Sequence, residues 1–112
     1  MSAPYRIDLT AAWEPPGPGQ VDWSRSFGRP GGLAVADRVW LVVGGTRMFA
    51  PELNGTPLPP RGDGRWDVTQ LLRGRNRLVL KGSGAGTVDT SRGRETLPMV
   101  IGTAWLEIDA AD

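Results

Sequence analysis

The chain reads as an all-β protein, an antiparallel two-sheet β-sandwich, and three observations lead to that class. Apolar and polar residues alternate with period two in several short segments. These segments recur along 112 residues, separated by breaks rich in Gly, Pro and Asn. An apolar period of 3.6 residues never persists beyond about one turn, so no long helix is predicted.

The elements follow in order. Tyr5, Ile7 and Leu9 alternate with Arg6, Asp8 and Thr10, which predicts a half-buried first strand. Pro15-Pro16-Gly17-Pro18-Gly19 lacks ladder donors and predicts the first loop. Val21, Trp23 and Phe27 then share a face, with Asp22, Ser24 and Ser26 on the other. Arg25 falls on the apolar side, where it must be paired or extend its stem toward water. Val39 to Val43 is a continuous apolar run, predicting a strand covered on both faces with Trp40 in the core.

Phe49 and Leu53 share a face, and Pro51 between them predicts an edge strand, because proline cannot donate to a ladder. Asn54-Gly55 predicts a tight hairpin, since both residue types tolerate φ > 0. Thr69 is expected to cap one helical turn over Gln70 to Arg73, stopped by Gly74. Leu78 and Leu80 flank Val79 in the next strand. Residues 82 to 98 are glycine-rich with few periodic apolar positions and predict a long mobile loop. Ala104, Leu106 and Ile108 face the core from the last strand, leaving Trp105 and Glu107 on its other face. Asp109-Ala110-Ala111-Asp112 is expected to be a frayed tail. Seven or eight strands are predicted in total.

One stretch carries a more specific pattern. Leu53-Asn54-Gly55 precedes Trp66-Asp67-Val68-Thr69, the pair Leu71-Leu72, and Asn76-Arg77-Leu78-Val79-Leu80. This order resembles the sugar-binding jelly-roll domain of family 2 glycoside hydrolases, within the galactose-binding-like β-sandwich group. The likeness covers residues 21 to 109 and is specific between 52 and 80. It implies a shortened, stand-alone jelly-roll with a carbohydrate-binding role. In those enzymes catalysis belongs to a separate barrel domain, for which this chain has no residues.

Composition excludes most chemistry. The chain is expected to form one domain, 1–112, near the lower end of size for two packed sheets. No long apolar run suits a membrane span. A net charge of +1, with basic residues scattered among carboxylates, draws neither nucleic acid nor a membrane surface. Without cysteine there is no disulfide or thiolate chemistry. Without histidine there is no Ser-His-Asp triad, His-ligated zinc or imidazole proton transfer. None of the twelve carboxylates sits in a recognisable glycosidase motif. No enzyme activity, cofactor or metal is expected. The N-terminus shows no signal peptide, so the default compartment is the cytoplasm, while secretion stays compatible.

Short motifs mostly reduce to local structure. Gly82-Ser83-Gly84-Ala85-Gly86 lacks the following helix start and the lysine of a phosphate loop, and reads as a flexible loop. Arg61-Gly62-Asp63 spells the integrin-recognition tripeptide, but a Gly-rich, Arg-rich chain produces it by chance. Asp67 reads as an acceptor for N–H groups at the capped turn, and Asn54 and Asn76 as turn residues that tolerate left-handed backbone.

The tryptophans supply the positive signal for binding, because indole faces stack on sugar C–H surfaces and indole N–H groups donate to hydroxyls. Trp23 and Trp40 are expected in the core. Trp13 beside the Pro-Gly loop and Trp66 after the arginine-rich loop are candidate sugar contacts, together with Asp63 and Arg65. Trp105 either lies under another layer or marks an interface, which makes it the candidate residue for a homodimer. Two functions stay open: a non-catalytic carbohydrate-binding module, or a structural or protein-interaction module without a small ligand.

Overall fold

The computed structural model describes residues 5–17, 19–44, 50–59, 61–82, 96–97 and 102–109. Eight strands run through them: β1 (Tyr5–Asp8), β2 (Trp23–Gly28), β3 (Arg38–Gly44), β4 (Ala50–Leu53), β5 (Thr56–Pro57), β6 (Arg65–Asp67), β7 (Arg75–Lys81) and β8 (Thr103–Asp109). They form two antiparallel four-stranded sheets, ordered β1-β8-β3-β6 and β2-β7-β4-β5. The protein is a β-sandwich, and no helix occurs among the described residues.

The alternation of the sequence is what builds the core. From the first sheet come Val39 and Leu41 of β3, Trp66 of β6, and Ala104, Leu106 and Ile108 of β8. From the second come Trp23 and Phe27 of β2, Leu53 of β4, and Leu78 and Leu80 of β7. Where a strand gives more than one, the core residues fall two or four apart, on one face, so burying that face commits the register of the whole strand. Arg25, on the apolar side of β2, reaches its chain edge: Nε donates to Ala11 O at 2.6 Å and Nη1 to Ser26 O at 3.1 Å. Asn54-Gly55 forms the two-residue hairpin between β4 and β5, with φ of 53° and 82°. Two positive φ values in succession match the right-handed twist of the strands they join.

Three expectations need correcting. Strand β4 is not an edge, because it lies between β7 and β5. Asn54 N–H points to β7, donating to Arg77 O at 2.9 Å, so alternation turns the nitrogen of Pro51 toward β5. There β5 ends at Pro57, and Pro51 O still accepts the Leu58 N–H at 2.9 Å, so the missing donor costs only half of a terminal rung. Residues 69 to 71 form a turn and not a helical one, closed by Leu71 N–H on Val68 O at 2.9 Å. Thr69 accordingly caps nothing: its Oγ1 accepts the Val39 N–H at 2.8 Å and lies 2.6 Å from Asp67 Oδ1. Finally, Trp40 is half-buried on the outer face of β3, not in the core. The unbroken apolar run predicts a layer on both sides, whereas among the described residues its outer face meets only side chains of the same sheet. Phe49, residues 83–95 and 98 of the predicted mobile loop with the glycine run from Ser83 onward, and residues 110–112 of the predicted tail lie outside the described residues.

Candidate functional site

The four sugar-contact candidates do not converge. Trp13 is fully buried, and its Nε1 donates to Leu9 O. Trp66 is 6% exposed and its Nε1 donates to Pro59 O at 2.6 Å. Both indoles therefore fill the core with their N–H groups satisfied by backbone, and neither offers a face to a ligand. That corrects the loop-end site: a tryptophan beside a surface loop is still drawn inward when the sandwich is small, because its area is most of what the core can gain.

Asp63 and Arg65 belong to different environments. Asp63 lies in the exposed turn before β6, where Oδ1 accepts the Arg65 N–H at 3.1 Å and the Arg61 guanidinium at 3.3 Å. The Arg and Asp of the tripeptide are therefore tied to each other and do not project apart. Gly64 closes this turn at φ +65°, where an added Cβ would meet Val43 O at 2.5 Å. Arg65 turns instead onto the outer face of the first sheet.

That face holds the densest cluster of functional side chains. Across the order β1-β8-β3-β6 the register gives one row of Arg6, Glu107, Trp40 and Asp67, and beneath it a row of Asp8, Trp105, Val42 and Arg65. Direct cross-strand neighbours stand about 5 Å apart, with diagonal ones still in reach of long side chains. Glu107 sits between two arginines, at 3.2 Å from Arg6 Nη2 and 2.9 Å from Arg65 Nη2. Each guanidinium also covers an indole: Arg6 lies 4.8 Å from the Trp105 ring centroid and Arg65 4.7 Å from that of Trp40. The far end of the Trp105 ring lies beside Gly44, where an added Cβ would stand 3.9 Å from it in ordinary contact. These contacts keep Val42 8% exposed on a face no other element covers among the described residues.

Of the predicted site residues, Arg65 and Trp105 meet here. Trp40, Glu107 and Arg6 were missed. Period two in β3 could have put Trp40 outward with Val42, but the unbroken apolar run concealed which side was which. The Arg6–Glu107 pairing depends on a register between chain ends that no local pattern encodes.

Hydrogen bonds tune three carboxyls at the margins. The Thr10 N–H, then its hydroxyl, hold Asp8 below the usual carboxylate range. The Arg65 N–H and then the Arg61 side chain do the same for Asp63. For Asp67 burial is the largest influence and pushes upward, but the Thr69 hydroxyl and N–H and the Arg38 guanidinium outweigh it, so the net direction is down. A carboxyl lowered in the folded state adds stability above its unfolded value of 3.8, and that stability is lost as pH falls through the folded value. The melting temperature is therefore expected to drop on acidification below about pH 4, and Asp67→Asn to flatten part of that drop. An identical pH profile for the variant would show that Asp67 carries none of it.

Two shallow clefts lie elsewhere. One of about 310 Å³ is lined by Arg29, Leu33, Asp37, Thr69 and Leu72 at one sandwich end. Another of about 420 Å³ runs over the outer face of the second sheet, between Gln20 and Asp22 on one side and Arg77 and Lys81 on the other. Neither contains Trp13, Trp66, Asp63, Arg65 or Trp105. No family model, curated protein or solved structure matches this chain.

Proposed function

We propose that the protein is a non-catalytic carbohydrate-binding module of the jelly-roll, galactose-binding-like type. The observation that carries this reading is the outer face of the first sheet, where Trp40 and Trp105 flank Glu107 and its two arginines. Sugars present C–H faces that stack on indoles, and hydroxyls that need both donors and acceptors within a few ångströms. This face holds both kinds of partner on rigid strands. The strand orders β1-β8-β3-β6 and β2-β7-β4-β5 support a jelly-roll wrap, and the Asn-Gly to Asn-x-Leu pattern supports kinship with the family 2 sugar-binding domain.

A glycan array followed by titration calorimetry tests the reading. Trp105→Ala is expected to weaken binding of any captured glycan by about two- to twelve-fold, since one aromatic contact contributes on the order of 0.5–1.5 kcal/mol. Sedimentation should be unchanged. The second reading, an interaction module that self-associates, is favoured by the same face, with Trp105 near its middle, which no other element covers among the described residues. In that case Trp105→Ala shifts a dimer to monomer and makes the melting temperature concentration-independent. A monomer that binds no glycan, with or without the substitution, would defeat both readings.

A further inference from the structure

We propose that the Trp40–Trp105 face selects acidic sugars, holding a carboxylate or sulfate group of an oligosaccharide with Arg6 and Arg65 as counter-charges. This rests on the carbohydrate reading and adds the ligand's charge to it. The first observation is an excess of donors. Trp40 Nε1, Trp105 Nε1 and Arg65 Nε are all buried, and none has a hydrogen-bond acceptor among the described residues. A buried donor left unmade is costly, and because these three are closed off from solvent beside the guanidiniums that lie over the rings, an acceptor from outside reaches them only once those arginines move. A hydroxyl brings donor and acceptor together, whereas a carboxylate or sulfate brings acceptors only.

The second observation is how the charges are shared. Two guanidiniums converge on the single carboxylate of Glu107, one on each oxygen. The other carboxylates of the face are engaged at its margins. Asp67 is bound by Thr69 and by Arg38 at 3.5 Å, Asp8 accepts the Thr10 N–H at 2.8 Å, and Asp109 stands opposite Arg38. Within the Arg6–Glu107–Arg65 trio positive charge exceeds negative by one. The face as a whole, with Arg38, Asp8, Asp67 and Asp109, carries three cations and four carboxylates, so the positive excess is confined to that trio. Glu107 thus occupies, from within the chain, the place between two arginines that a ligand acid would take.

The third observation is access. The Arg6 side chain is 65% exposed and that of Arg65 43%, whereas Glu107 is 17% exposed. The arginines are the movable parts, and each lies over an indole. Lifting Arg6 off Trp105 uncovers the ring and frees the guanidinium to meet an incoming anion, while Glu107 stays paired with Arg65.

The test uses trigalacturonate and its fully methyl-esterified form, which differ in charge and not in ring structure. The acid is expected to bind about ten-fold tighter or more, with the difference shrinking as salt rises. A sulfated galactan oligosaccharide tells whether sulfate serves as well as carboxylate, and binding of either one supports the proposal. Arg6→Gln, at an exposed side chain, should bring the acid down to the affinity of the ester. Glu107→Gln removes the internal competitor and should tighten acid binding, with folding checked by melting. Equal affinity for acid and ester overturns the proposal while leaving the carbohydrate reading intact. Weaker acid binding by a folded Glu107→Gln overturns the counter-charge role. Equal binding of hexa-aspartate overturns sugar selectivity, and failure of every glycan to bind removes the carbohydrate reading itself.

Discussion

Trp13→Ala is expected to lower stability by about 3–5 kcal/mol, the range for deleting a large aromatic from a packed core. A domain of this length has a total stability on the order of 5–15 kcal/mol, so the variant should be marginal or unfolded at 37 °C. The cause is twofold. The indole is fully enclosed beside Leu9, and its N–H satisfies the Leu9 carbonyl where the chain leaves β1. Just after, Glu14 pairs with Ser24 of β2 through two backbone bonds at 2.7 and 3.1 Å. Trp13 therefore sits where the chain crosses from the first sheet to the edge of the second. Trp13→Phe should keep most of the packing and lose the hydrogen bond, costing less than half as much. Thermal melting checks both variants, and a Trp13→Ala protein that melts like the parent would return Trp13 to the surface and to the sugar site first expected for it.

The contrast between core and site shows what a sequence exposes. The strands around Trp23, Leu80 and Leu106 were legible because burial on one face writes period two directly into residue order. The Asn54-Gly55 hairpin was legible because only a few residue types accept two positive φ values. Trp40 was not, since Val39 to Val43 is apolar throughout and its outer face is covered by Arg65 and Trp105 from distant strands. The binding face as a whole was hidden for the same reason. It joins Arg6 and Glu107 through the pairing of β1 with β8, and Arg65 of β6 across the intervening β3. Exposure misled in the other direction for Trp13 and Trp66. Proximity to a Pro- or Gly-rich loop suggested a surface, but both rings turn inward and bond to backbone carbonyls.

Substituting Asn76 should have the second large effect, because the most specific part of the sequence pattern is a latch and not a site. Asn76 is 1% exposed on the core side of β7, in line with Leu78 and Leu80, and its φ is not left-handed, contrary to its expected role as a turn residue. Its Oδ1 accepts the Arg73 N–H at 2.8 Å and Asn54 Nδ2 at 3.0 Å, while its Nδ2 donates to Arg73 O at 2.9 Å. Asn54 in turn donates to Leu71 O at 2.9 Å and accepts the Arg77 N–H at 2.9 Å. Two side-chain amides thus tie the β4–β5 hairpin to the turn before β7. Asn76→Ala strips partners from Arg73 N–H, Arg73 O and Asn54 Nδ2 together. At about 1–3 kcal/mol for each buried group left unmade, partly relieved by relaxation, the loss is expected near 3–4 kcal/mol. Asn54→Gly, which keeps the left-handed backbone at φ 53° and removes only the amide, should cost less, since its neighbourhood is half-exposed. The double variant should fall short of the sum by about 1 kcal/mol, the coupling of the shared amide bond. Urea unfolding of the four proteins measures this cycle. Strict additivity would mean that the two asparagines act separately and that no latch joins the hairpin to β7.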